Sequence, residues 1–251
     1  MKKEITIKRA GLKLVGNLWT PDDKDEFNLA ILMYGFSGPK KPKNANTLIP
    51  DLAERLNKHD IATITFDFAG HNDSEGNIEN MTVLNEISDA NAVLQYALSL
   101  KNVKKIFLVG HSQGGVISSM MAGYYPDKIT KLVLMAPAAT LVDDAKIGVC
   151  QSNTYDPDNM PDQIKFHDWE LNSFYFRTAR FLNVYEVAAN FHKPVLALHG
   201  TDDKIVNNYA SRHYQAIYDN CDFHLIPGGD HGLHTGREEV FNYVENFLKG
   251  E

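Results

Sequence analysis

The pentapeptide Gly110-His111-Ser112-Gln113-Gly114 constrains this chain more than any other stretch. An apolar run, residues 106–109, precedes it, and a run of small and apolar residues, 115–123, follows it. That order predicts a buried strand, a sharp turn and a helix, the setting a G-x-S-x-G nucleophile elbow requires. With no Cβ at the flanking glycines, strand and helix can approach closely while the serine takes up a strained turn. The Ser112 hydroxyl then projects above the strand ends. Beside it lies a helix N-terminus whose backbone N–H groups are free to meet an anion. Three fixed positions recur by chance in unrelated chains, so the weight rests on this context and on the partners downstream.

Residues 29–33, 62–66, 132–135, 195–199 and 223–226 are further short apolar runs. Helical spacing separates them: Leu48, Leu52 and Leu56; Val83, Ile87, Ala90, Leu94 and Leu98; residues 210–218; and residues 239–249 with Val240, Tyr243, Val244 and Phe247. Uniformly apolar strands alternating with helices predict an α/β fold, a mostly parallel sheet covered on both faces. Residues 5–8 and 12–19 alternate in polarity around Ala10-Gly11, which predicts an antiparallel edge hairpin. Asn46 or Thr47 is the expected cap of the helix at Leu48. Residues 140–192 break the rhythm. They are richer in Asp, Asn, Tyr and Phe and hold no clear buried strand. We read them as an insertion after the sixth sheet strand, so that residues 1–139 and 193–251 form the core. A chain of 251 residues fits one large domain carrying such an insertion.

The net charge of −7 argues against nucleic acid and against an anionic membrane surface as partners. Residues 1–9 carry charges but no apolar core of the kind a secretory signal needs. No stretch approaches the ~20 apolar residues of a membrane span. Cys150 and Cys221 lack metal-type spacing; they allow a single disulfide, but two free thiols in a reducing cytoplasm are expected. No metal constellation and no phosphate loop is present, so no cofactor is expected.

A serine hydroxyl needs a base to take its proton, and the base needs an orienting group. His199-Gly200-Thr201-Asp202-Asp203 follows the 195–199 run, and Asp203 fits G-x-x-D-x-x-V, with Asp202 as its competitor. Gly228-Gly229-Asp230-His231-Gly232 follows the last predicted strand. There His231 sits directly after a glycine loop and before the final helix, while His234 comes three residues later. The order Ser112, Asp203, His231 is one of the known chain orders of a serine triad. His71, His111 and His199 are read as structural. An oxyanion hole needs two N–H donors. Gln113, just after the serine, and Phe36, in the loop after the 29–33 strand, are the candidates. Gly35 permits that loop to fold close to the serine.

On these residues the chain resembles the α/β-hydrolase serine esterases, specifically the cinnamoyl (feruloyl) esterase group of intracellular bacterial enzymes. The resemblance is carried by Asp67-Phe68-Ala69-Gly70-His71, Met81-Thr82-Val83-Leu84-Asn85-Glu86, Gly110 to Val116, Ala136-Pro137-Ala138-Ala139-Thr140 and His199 to Asp203. Within the insertion it extends to Tyr155-Asp156-Pro157-Asp158 and Tyr185-Glu186-Val187. It implies an eight-stranded, mostly parallel sheet with helices on both faces and an inserted lid. It also implies a cytoplasmic enzyme that needs no cofactor and hydrolyses small aromatic esters of the ferulate, caffeate and coumarate type. Asp144 and Gln151 align with lid positions expected to meet the ring hydroxyls. Two departures stand out. Tyr34-Gly35-Phe36 replaces the group's His-Gly-Phe, which makes Tyr34 a substrate-contacting candidate at the acyl pocket floor. Gly70-His71-Asn72 replaces Gly-His-Gly. The insertion also supplies Phe166, Trp169, Phe174, Tyr175 and Phe176, as slot walls or as packing. The triad alone does not separate this activity from a short-chain esterase, a lipase or a peptidase. Nothing in the sequence excludes a homodimer.

Overall fold

The computed structural model describes residues 1–22, 24–40, 46–166 and 168–250. The chain opens with β1 (Lys2–Arg9) and β2 (Leu12–Trp19), an antiparallel hairpin that pairs Arg9 with Leu12 across the Ala10-Gly11 turn. Then come β3 (Phe27–Met33), α1 (Leu48–Asn57), β4 (Ile61–Phe66), α2 (Val83–Ser99), β5 (Val103–His111), α3 (Gln113–Tyr124) and β6 (Ile129–Met135). Residues 140–192 hold α4 (Leu141–Ile147), the short hairpin β7 (Val149–Cys150) with β8 (Asn153–Thr154), and a second hairpin, β9 (Gln163–Phe166) with β10 (Trp169–Asn172). Two helices, α5 (Phe174–Ala179) and α6 (Val184–Ala188), complete them. The chain ends with β11 (Val195–Gly200), α7 (Tyr209–Ile217), β12 (Cys221–Ile226) and α8 (Arg237–Lys249).

Eight strands form one sheet in the order β1-β2-β4-β3-β5-β6-β11-β12. Only β2 runs against the rest. The period-2 alternation of a strand divides each apolar run between two cores. From β3, Ala30 and Leu32 face α1 and α8, where they join Leu52, Leu56, Val240 and Val244. Leu29, Ile31 and Met33 face the other way, toward Val93 and Leu94 of α2 and Val116 and Met120 of α3. Each such Leu or Ile, removed from water, contributes about 1.5–3 kcal/mol. Thr82 caps α2 by accepting from Asn85 N–H at 3.0 Å. At α1 the two expected caps divide the work. Asn46 Oδ1 accepts from Leu48 N–H at 3.0 Å, while the Thr47 hydroxyl donates to Asp51.

The stretch 140–192 enters between the sixth and seventh strands of this sheet. Its last helix, α6, packs against α3 and α7 in the helix layer. Its earlier part gathers at the carboxyl ends of the strands, where Thr140, Asp144, Cys150 and Tyr175 border the same space as Ser112. Cys150 and Cys221 are free. Among the described residues no helix is long and apolar enough to cross a membrane.

Candidate active site

Ser112 is the single residue between β5 and α3, at φ 56° and ψ −125°. A side chain pays for that conformation in strain, and it survives only where the surroundings enforce it. The flanking glycines supply the enforcement. A Cβ at Gly110 would lie 2.2 Å from Gly114 O, and one at Gly114 would lie 2.4 Å from Met33 O.

β6, β11 and β12 are parallel neighbours, so their following loops emerge side by side at the same edge as the elbow. The β11 loop brings Asp203 and the β12 loop brings His231. Ser112 Oγ lies 2.9 Å from His231 Nε2, and His231 Nδ1 lies 2.8 Å from Asp203 Oδ2. Asp203 is buried to 1% exposure of its side chain. Burial alone would raise its pKa. Hydrogen bonds from His199 and His231, the His231 charge and the Val206 N–H outweigh burial and hold it well below the usual carboxylate range. An ionised Asp203 makes Nδ1–H the donor on His231 and leaves Nε2 to accept the serine proton. Asp203 Oδ1 is fixed by N–H donors from Ile205 at 2.8 Å and Val206 at 2.9 Å. The rival residues stand apart: Asp202 accepts from the Thr201 hydroxyl, and His234 pairs with Asp230 on the surface.

Two histidines read as structural in the sequence touch Asp203 and His231. His199 Nε2 lies 3.1 Å from Asp203 Oδ2, and its Nδ1 lies 2.7 Å from the Ser211 hydroxyl. His111 Nε2–H donates to the His231 carbonyl at 2.8 Å. Burial, with His231 beside it, pushes the His111 pKa down to about 3 and keeps the ring neutral. Each stands at the end of an inner strand, directly before Ser112 or Gly200. That position puts both near the elbow, but which group each meets is not written in its own strand. His71 spans the carbonyls of Ala69 and Ser37.

The Phe36 loop crosses directly over the elbow. A Cβ at Gly35 would lie 2.5 Å from Ser112 Cβ, so only glycine admits the crossing. Among the described residues, neither the Phe36 N–H nor the Gln113 N–H has a hydrogen-bond acceptor, which leaves both able to meet an oxyanion. The Phe36 ring packs against Phe166, Trp169 and Tyr175, with centroids 5.4, 5.5 and 5.7 Å away. Tyr175 also donates its hydroxyl to Gln113 Oε1.

Two cavities meet at Ser112. A narrow slot of about 60 Å³ runs beneath α4 and α5, walled by Leu141, Ala145, Val149, Phe176 and Val206, with Asp144, Cys150 and Tyr175 as its polar groups. A wide cleft of about 580 Å³ opens on the other side toward Asn17, Thr65, Asp67 and Asp73. Phe36, Ser112, Gln151 and Ile205 border both. Burial raises the Asp144 pKa, and burial with Asp144 nearby pushes the Cys150 thiol up to about 12, so that sulfur is no nucleophile at neutral pH. Of the aromatics in residues 140–192, Tyr175 and Phe176 face the slot, Phe166 and Trp169 pack on Phe36, and Phe174 is exposed. Tyr34 borders the wide cleft rather than the slot, with its hydroxyl accepting from Phe68 N–H and donating to Asp67. Among the described residues no group of three His, Cys, Asp or Glu could hold a metal.

The family described as alpha/beta hydrolase fold matches residues 31–181. Est1E from Butyrivibrio proteoclasticus, with ferulic acid bound, superimposes with a TM-score of 0.91 at 32% identity over 97% of each chain. The putative esterase/lipase 2 of Mycoplasma genitalium is 27% identical over 216 residues, 73% of this chain and 77% of that protein. A monoglyceride lipase homolog of monkeypox virus is 25% identical over 219 residues, 76% of this chain and 78% of that protein. A match over more than half the chain, and a structural relative over nearly all of it, place the protein: it belongs to the α/β-hydrolase family, among its carboxylic ester hydrolases.

Proposed function

We propose that the protein is a serine carboxylesterase acting on hydroxycinnamate esters through an acyl-enzyme. The observation that carries this reading is the pair of unequal cavities on either side of Ser112. We assign the acyl group to the slot, whose lid side chains part to admit an aromatic ring, and the alcohol to the wide cleft. Ligand slots of this kind are mostly apolar with a few polar groups that fix orientation. Here Asp144 and Gln151 are the groups for the ring hydroxyls, as in the cinnamoyl esterase resemblance, and Tyr175 lies beside them. The ferulic acid held by Est1E supports the same acyl class.

In this mechanism Ser112 Oγ attacks the ester carbonyl and passes its proton to His231 Nε2. The carbonyl oxygen takes up negative charge against the Phe36 and Gln113 N–H groups, each worth about 3 kcal/mol in the transition state. His231 then protonates the departing alcohol. Water, deprotonated by His231, attacks the acyl-enzyme and frees the acid. Tyr34 works on the alcohol side, where it shapes the cleft. No cofactor takes part. The test is a panel of ethyl ferulate, ethyl cinnamate and p-nitrophenyl alkanoates, with fluorophosphonate labelling of Ser112. Higher kcat/KM on the ferulate ester supports the reading. A preference for alkanoates assigns the protein to the short-chain esterases or lipases instead, and absence of labelling removes the serine mechanism.

A further inference from the structure

Glu86 lies on α2 beneath the elbow and is 2% exposed. Among the described residues no Lys, Arg or His forms an ion pair with it; the nearby Arg9 is taken by Asp89. Its side-chain partner is Gln113, whose Nε2–H donates to Glu86 Oε2. The other end of the same amide accepts from the Tyr175 hydroxyl. Gln113 is therefore held at both ends, from below by α2 and from above by the lid helix α5. Its backbone N–H is one oxyanion donor. Tyr175 also packs its ring on Phe36, which carries the other.

Building on the esterase reading above, we propose that Glu86 is a positioning residue for the oxyanion hole: through the Gln113 amide and Tyr175 it sets the direction of the Gln113 N–H and ties the lid to it. A buried polar group held by satisfied partners on both sides has one orientation, and a misdirected donor loses most of its value in the transition state. The chain works with Glu86 as a neutral acid. Burial pushes its pKa up to about 8, with the Gln113 hydrogen bond opposing and Asp89 adding to the rise. The other groups facing this pocket are Tyr34 and Tyr175, both held protonated by burial, and the Asp89–Arg9 pair. The tyrosines are neutral and the Arg9 charge is paired with Asp89, so among the described residues none forms an ion pair with an ionised Glu86. Above about pH 8 the carboxylate therefore places a negative charge beneath the site where the oxyanion forms, and turnover falls.

The experiment follows kcat and KM on p-nitrophenyl butyrate from pH 6 to 9.5, corrected for spontaneous hydrolysis, for the wild type, Glu86→Ala and Glu86→Gln. The expected result has three parts. Wild-type kcat declines above about pH 8. Glu86→Ala lowers kcat at pH 7 by about 10-fold, with KM changed far less, because the Gln113 amide loses a buried partner. Glu86→Gln brings kcat back to within about threefold and abolishes the alkaline decline. An alkaline decline that persists in Glu86→Gln overturns the proposal, as does an unchanged kcat in Glu86→Ala. Tyr175→Phe, read in the same assay, lowers kcat by about 2- to 10-fold if the lid end of the chain contributes; an unchanged kcat removes the lid from the proposal. A wild type that turns over no ester and takes no fluorophosphonate label brings down the esterase reading itself, and this inference with it.

Discussion

Ser112 presents its Oγ to His231 across 2.9 Å, and that hydroxyl adds little to the packing around it. Ser112→Ala is therefore expected to leave the fold intact and to lower kcat by about 10⁶, the scale of losing a triad serine. Circular dichroism and ester turnover check the two halves separately. Asp203→Asn is expected to cost about 10⁴, because an amide no longer holds His231 in the Nδ1–H tautomer. Asp202→Asn, on a side chain that among the described residues bonds to Thr201 alone, is expected to cost far less, and the reverse ranking in steady-state rates refutes the assignment. These three residues were legible in the sequence because each rests on a local motif at a strand end. His199 and His111 were not. Their contacts with Asp203 and His231 depend on how β5, β6, β11 and β12 align in the sheet, and a register between strands has no trace in any one strand's residues.

At the scale of elements, the alternating apolar runs foretold every strand of the main sheet, and the structure extends most of them by a few residues. Residues 140–192 were harder to read. Composition shows that the segment is aromatic, but not which rings reach the slot, since a lid must also pack against its own floor. Phe166 and Trp169 stack 4.9 Å apart and pack against Phe36, so they support the Phe36 loop rather than line the slot. Asp144 and Gln151 border the slot. Asp144→Ala or Gln151→Ala is expected to lower kcat/KM on ferulate or caffeate esters about 10- to 100-fold, the effect of leaving a ring hydroxyl without its partner. The same variants should hydrolyse p-nitrophenyl acetate at nearly the wild-type rate. Parallel losses on both substrates would show that these side chains support the fold or the triad instead.

Over the whole molecule, one buried carboxyl makes stability depend on pH. Folded Glu86 keeps its proton to about pH 8, whereas the unfolded chain releases it around the ordinary value of 4.5. A raised folded pKa means that its share of stability is complete below about pH 4.5 and is lost as pH rises toward 8. Glu86→Gln, which cannot ionise, is expected to melt higher than the wild type by a margin that grows across that interval, measured as paired Tm values at each pH. A constant margin contradicts it. The unequal cavities carry a consequence for kinetics. On the proposed acyl-enzyme route the alcohol departs through the wide cleft while the acyl group is still attached, so the acid is the last product to go, from the narrow slot. Free hydroxycinnamic acid then rebinds the resting enzyme and competes with the ester, while added alcohol intercepts the acyl-enzyme and gives mixed inhibition together with a transesterified product. Ping-pong order, set by the acyl-enzyme, thus divides the two products between two cavities of unequal size that meet at one serine.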